Sequence, residues 1–215
     1  MKLVGTMALY WFPFWELSLL ELARHVDELY IRVDPKANPD IPKRLAALNL
    51  PKIKDVLYSK IEWDKWQWRE ELMRMADRSE PDAVLNLDDD EIFQDTIVPE
   101  VRKFLGTSGM NMMMFRYVTP LPTIDGTIPN DGKPYPGGPH AKVYRWKPGI
   151  TFRRYRSYAQ ASNLRGRLMA DTKIIHYSHF TKELRDNRRK GHQEDVIIAD
   201  HNNASAKESD GTSAS

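Results

Sequence analysis

Four consecutive acids, Asp88-Asp89-Asp90-Glu91, follow directly on an apolar run at residues 83–87, AVLNL. Carboxylates crowded in this way repel one another, and a hard divalent cation relieves the repulsion. Mg2+ or Mn2+ held by one or two of them would bridge a diphosphate, neutralising the charge that develops on it and orienting it. The plainer alternative is a solvated acidic helix start, which suits the positive end of a helix dipole. The apolar run favours the metal, because ligands of open α/β sheets bind outside the carboxyl ends of buried strands.

A second stretch has the opposite charge. Residues 142–190 carry 14 Lys and Arg against three acids, a net of +11 that leaves −9 on the rest of a chain of charge +2. Within it, Arg153, Arg154 and Arg156 are interleaved with Tyr155 and Tyr158 in a segment that reads as flexible. Arginine grips phosphate through paired hydrogen bonds, so this segment can close over an anionic ligand as a lid. The same composition suits a nucleic-acid groove or a merely solvated face.

Alternating strand and helix signals in the first half supply the elements that must position these groups. Residues 2–11 read as a buried strand. Residues 14–25 place Leu17, Leu20, Leu22 and Ala23 near helical spacing. Residues 28–33 (ELYIRV) form a second strand stopped by Asp34-Pro35. A short helix over 38–49, a third strand over 56–59 and a strong helix over 63–78 follow, the last broken by Pro81. The strand at 83–87 then runs into the acids. This order implies a mostly parallel central sheet flanked by helices, an α/β fold. Further on, the spacing predicts a helix over 97–105 and strands over 111–117, 141–146 and 173–177. A long Pro/Gly loop lies at 120–139, and a basic helix at 181–190.

Composition narrows the classes. The 215 residues suit one medium domain, or one domain with an appendage. With 41% hydrophobic and 29% charged residues the chain reads as neither disordered nor membrane-embedded. The absence of cysteine excludes disulfides, zinc-thiolate sites, iron–sulfur clusters and a thiol nucleophile. The apolar residues 3–22 are interrupted by Pro13, Glu16 and Glu21, and only Lys2 precedes them. They lack the uninterrupted run of about 20 residues that a span needs, and no small-residue cleavage site follows. No signal peptide, no stable membrane insertion and a cytoplasmic address are the expectations. Residues 1–190 read as the folded domain, and 191–215 as a small, polar tail.

VLNLDDDEIF resembles the DXD segment of GT-A-type glycosyltransferases, in particular the family-2-like group. The resemblance covers about residues 2–190 and makes Asp88 and Asp90 the outer aspartates, with Glu91 as the following acid. It sets Ala8, Leu9 and Tyr10, at the end of the first strand, against a nucleotide base. Asp34, closing IRVD, matches the acid that contacts base or ribose. Arg69 in WQWREEL resembles the arginine on the helix before the DXD strand, and IIHYSHF resembles a His-Tyr motif of many members. Departures are Tyr10-Trp11-Phe12 in place of Tyr-Asn-Glu and Arg69-Glu70 in place of Arg-Asn. No clear acid stands where inverting members keep a catalytic base.

The resemblance implies a GT-A fold and a metal-dependent transfer of a sugar from a UDP- or GDP-linked donor to the hydroxyl of a glycan or glycoprotein. Asp90 would be the main ligand of Mn2+ or Mg2+, Asp88 would contact ribose or metal, and Asp89 would lie with them at the nucleotide. His176 would be a further ligand, since imidazole suits Mn2+, with His179 as its neighbour alternative; a strand histidine bonded to backbone is the plain reading. Asp125 and Asp131, in TIDGTIPNDG, are candidates for the general base, although Asp-Gly pairs are also ordinary turn formers. His140 would line an acceptor pocket, with Gly137-Gly138 letting backbone approach the sugar. Trp63, Trp66, Trp68 and Trp146 offer sugar-stacking faces or core.

Three other readings compete. A nucleotidyltransferase would open with a Gly-rich loop where this chain has TMALYWFPFW. A two-metal nuclease would use the acids as its clamp and the basic half as its groove, but such sites collect acids from separated segments. A divalent-ion or carbohydrate-binding module would need no chemistry. The diphosphate reading implies no nucleic-acid partner.

Overall fold

The computed structural model describes residues 1–177 apart from 11, 37, 60–64, 120–132, 135–138, 156–157 and 162. The elements in chain order are β1 (Leu3–Leu9), α1 (Trp15–His25), β2 (Glu28–Val33), α2 (Ile41–Leu48), β3 (Ile53–Tyr58) and α3 (Lys65–Asp77). Then come β4 (Ala83–Asp88), β5 (Glu91–Phe93), α4 (Ile97–Gly106), β6 (Met112–Phe115), β7 (Tyr117–Thr119) and β8 (Lys133–Pro134). The last are β9 (His140–Arg145), β10 (Phe152–Tyr155), β11 (Tyr158–Ala161), β12 (Arg167–Met169) and β13 (Ile174–His176).

The central sheet has seven strands in the order β12-β6-β9-β4-β1-β2-β3. All neighbours are parallel except at β9, which runs antiparallel to both β4 and β6. Every residue of β1 is buried, as a strand covered on both faces requires. One face carries α1, α2 and α4, through Trp15, Leu19, Leu22, Ile41, Leu45, Val101 and Phe104. The other carries Leu72, Met73, Met75 and Ala76 of α3, together with Phe152 and Ala161 of the β10–β11 ribbon. The result is a three-layer α/β architecture.

Local chemistry sets several boundaries. Pro42 lies in the first turn of α2, where its missing N–H costs nothing, and Asn49 closes the helix in the left-handed region at φ 45°. The Arg145 guanidinium donates to the carbonyls of Phe104, Leu105 and Thr107, satisfying the end of α4. Gly166, at φ +76°, lets the chain pass the Gly109 carbonyl, which a Cβ would approach to 1.9 Å.

The first half follows the sequence expectation closely, with β3 beginning three residues early at Ile53. The second half departs from it. The single strand expected over 111–117 divides at Arg116, because β6 belongs to the central sheet while β7 pairs with β13 and β8 in a smaller one. The acids run from the end of β4 at Asp88 into the strand β5, which begins at Glu91, and no helix starts there. The described part of the Arg/Tyr segment is no loose loop: the backbone of Phe152–Tyr155 and Tyr158–Ala161 forms the antiparallel β10–β11 ribbon, clasped to α3 where Glu70 accepts the Phe152 N–H at 2.8 Å. The expected basic helix at 181–190 and the tail at 191–215 lie outside the described residues, as does most of the loop at 120–139. Among the described residues, no helix is long and apolar enough to cross a membrane.

Candidate active site

β1 pairs with β2 on one side and β4 on the other, so the strand order reverses beside β1. In open α/β sheets this switch point opens a crevice at the carboxyl ends of the strands. Ala8 of β1 lies opposite Asp88 of β4 at that edge. Asp34 follows β2 on the same edge; it is buried, its N–H donates to the Leu9 carbonyl, and its side chain caps the Lys36 N–H. A small, shallow recess is lined by Ala8, Trp68, Arg69, Asn86 and Asp88, among others. The Tyr10 and Trp68 rings flank this region, with centroids 6.5 Å apart. The residues expected at the nucleotide, Ala8, Leu9, Tyr10, Asp34, Arg69 and Asp88, therefore share one sheet edge.

Each acid of the run has its own surroundings. Asp88 accepts from the Arg69 guanidinium at 3.2 Å and from the Lys142 ammonium at 3.0 Å. Arg69 also donates to Asn86 at 2.5 Å, and Asn86 in turn donates to the Thr6 hydroxyl at 2.8 Å. Burial works against the Arg69 charge, but Asp88, joined by Tyr144, Glu91 and Tyr117, outweighs it and raises the guanidinium pKa above its ordinary value. Asp89 accepts the backbone N–H groups of Tyr10 and Phe12 at 3.1 and 3.2 Å, fastening the loop after β1 to the acidic turn. Burial, reinforced by the Asp90 charge, pushes the Asp89 carboxyl up to about 7 against the pull of those amides.

Asp90 and Glu91 meet the last described strand. β13 pairs antiparallel with β5, with His176 opposite Glu91, and the Tyr177 N–H donates to the Asp90 carbonyl. This pairing sets His176 Nε2 3.2 Å from Asp90 Oδ2. Glu91 is buried; it accepts the Asp88 N–H at 3.0 Å, the Lys142 ammonium at 2.6 Å and the Tyr117 hydroxyl at 2.8 Å. Burial and the Asp88 charge raise its carboxyl pKa, with Lys142 opposing them. Burial, helped by Glu91, also lifts the Tyr117 phenol well above its usual value. The Tyr117 ring stacks on His176 and lies 4.9 Å from the His140 ring. Burial, and then Lys142, lower His140 to about 4, so it is neutral near pH 7.

The donor set fits a divalent cation. One ligand atom each from Asp90, Glu91 and His176 lies within 4.8 Å of the others. Two donors on adjacent positions of an octahedral Mg2+ or Mn2+ sit about 3 Å apart, comparable with the 3.2 Å between Asp90 and His176. Oxygen and imidazole donors suit Mn2+. Asp88 lies beside this group, engaged by two cations. A second cluster, Glu21, His25 and Asp95, is already bridged by Arg24, which pairs with both acids.

Asp125, Asp131, His179, Gly137 and Gly138 lie outside the described residues. Sequence reasoning missed Lys142, Tyr117 and Asn86. Lys142 leaves one trace, a cation set between Ala141 and Val143 inside the strand HAKVYR.

No protein-family model matches the chain. No curated protein matches it either. Among solved structures, the crystal structure of S. aureus TarS 1–349 is similar at TM-score 0.56 and 14% identity, over 83% of this chain and 61% of that one. A crystal structure of S. aureus TarS is similar at TM-score 0.50 and 14% identity, over 82% and 37%. TarS 1–349 in complex with UDP-GlcNAc matches at TM-score 0.45 and 15% identity, over 55% and 35%. The chain thus spans less than two thirds of the TarS chains it matches. At these identities the likeness concerns the fold, an α/β fold of the GT-A type.

Proposed function

We propose that the chain is a metal-dependent glycosyltransferase, moving a sugar from a nucleotide-diphosphate sugar to an acceptor hydroxyl of a glycan or glycoprotein. One observation carries the reading: an acidic turn closes the central strand β4 at the switch point of the sheet, with Asp90 3.2 Å from His176. The fold shared with TarS supports it, and TarS 1–349 has been crystallised in complex with UDP-GlcNAc. A UDP-linked donor is the first choice and a GDP-linked donor the second. Residues 1–190 make up the transferase domain in this reading, and 191–215 an extension of it.

Breaking a sugar–phosphate bond develops negative charge on the leaving diphosphate. A divalent cation held by Asp90 and His176 would supply the positive charge that stabilises it. Asp88, fixed by Arg69 and Lys142, faces the ribose or the cation without swinging away. Ala8, Leu9, Tyr10 and Asp34 receive the base and ribose, and Asp89 locks the Tyr10 backbone in place for them. His140, neutral and leaning on Tyr117, lies beside the acceptor and accepts or donates a hydrogen bond without adding charge. Asp125 or Asp131 takes the acceptor proton in an inverting transfer.

Titration calorimetry with UDP-GlcNAc and a GDP-sugar, each with and without Mn2+, tests the reading. Nucleotide binding that requires Mn2+ supports it. Binding indifferent to Mn2+ overturns the metal, and oligonucleotide binding with steep salt dependence favours the nuclease instead.

A further inference from the structure

Lys142 is an unusual residue for the middle of a sheet. It lies on β9, its side chain is 2% exposed, and its ammonium bridges Glu91 at 2.6 Å and Asp88 at 3.0 Å. Buried lysines are rare unless paired, and this one is paired with two of the four acids. Its Nζ also lies 5.9 Å from the centre of the Tyr117 ring, which walls that side. Glu91 is equally constrained, since the Asp88 N–H and the Tyr117 hydroxyl hold its two oxygens.

Resting on the metal-dependent reading above, we propose that Lys142 is a positioning residue that withholds Glu91 from the cation and so makes metal binding conditional on the nucleotide. The three donors Asp90, Glu91 and His176 are close enough to serve one ion. Three protein ligands would hold a divalent cation by themselves. Two hold it weakly until the diphosphate adds its own oxygens, which is how Mg2+-type ions commonly bind. An ammonium and a dication on the same carboxylate repel each other, and with Lys142 on Oε2 and the Tyr117 hydroxyl on Oε1 both Glu91 oxygens are already engaged. Metal and donor then enter together, and the metal leaves with the nucleotide product.

The test is Mn2+ binding to the full chain, followed by calorimetry and by the electron paramagnetic resonance of free Mn2+, without and with UDP. The unsubstituted protein is expected to bind Mn2+ weakly alone and more tightly with UDP. Lys142→Met is expected to tighten Mn2+ binding without UDP by about tenfold or more, the scale on which such outer partners act, and to shrink the effect of UDP. Adding Glu91→Gln to Lys142→Met should return the affinity to its original level. Lys142→Gln keeps an amide donor to both carboxylates and serves if the methionine variant does not fold; the same tightening is expected. Loss of structure alone would weaken binding, so a gain separates the two roles. Unchanged or weaker Mn2+ affinity in folded Lys142 variants, or a gain that survives Glu91→Gln, overturns the proposal. Absence of any linkage between Mn2+ and UDP in the unsubstituted protein instead overturns the functional reading on which it rests.

Discussion

Replacing Arg69 by leucine removes the charge at the centre of the site while keeping an apolar stem on α3. Its contacts with Asn86 and Asp88 carry most of the effect. The Asn86 side-chain carbonyl, buried and 2.5 Å from Arg69, loses its donor; an acceptor stranded in this way costs about 1–3 kcal/mol. Asp88 loses a partner at 3.2 Å, but its side chain is 38% exposed and keeps Lys142. Solvent screening therefore holds that share to about 1 kcal/mol. The expected loss is about 2–4 kcal/mol, read as a lower urea midpoint at unchanged slope. Asp88 should also lose its fixed orientation, so UDP-GlcNAc affinity falls with Mn2+ present. A loss of stability below about 1 kcal/mol would show that the Thr6–Asn86–Arg69–Asp88 chain is not a connected support. Unchanged donor affinity would remove Arg69 from the nucleotide site.

Asp90→Ala is expected to abolish Mn2+-dependent nucleotide binding while the urea midpoint holds; full binding at limiting Mn2+ would clear Asp90 of that role. Gly166→Ala combines a left-handed φ of +76° with a Cβ 1.9 Å from the Gly109 carbonyl. It should cost at least about 2 kcal/mol by thermal or urea unfolding, and a near-neutral result would refute the close passage of those loops. Burial, then Arg24, lower the His25 pKa, and its Nε2 has no hydrogen-bond partner among the described residues. The unfolded chain binds this proton first, so the contribution is complete above about pH 6.5 and is lost as pH falls through the lower folded value. His25→Gln should flatten the stability profile between neutral pH and about pH 5; an identical profile in the variant would refute the assignment.

The parallel half of the sheet was legible because its strands are continuous apolar runs punctuated by local signals, such as Asp34-Pro35 after β2 and Pro81 before β4. The acids were legible because they are contiguous and follow such a run. What failed is non-local. NMMMFRY reads as one strand, and only the pairing of β7 with β13 shows why it divides at Arg116. β5 and β12 have three residues each, too short for any period to declare itself. Lys142 acquires its meaning from Asp88 and Glu91, 54 and 51 positions away in the chain. Nothing in its own neighbourhood announces that partnership. Arg69, matched by resemblance to a donor-site arginine, holds Asn86 and Asp88 in the structure.

The ladder between β5 and β13 joins Glu91 to His176 through only three residue pairs. A slip of one position there would turn the imidazole to the opposite side of the ribbon and away from Asp90. Closure of that ladder brings together residues at least 81 positions apart in the chain, a non-local contact of the kind that slows folding. If the proposed cation site is used, competence to fill it would mature with this pairing, and metal uptake during refolding would report the arrival of the last described strand.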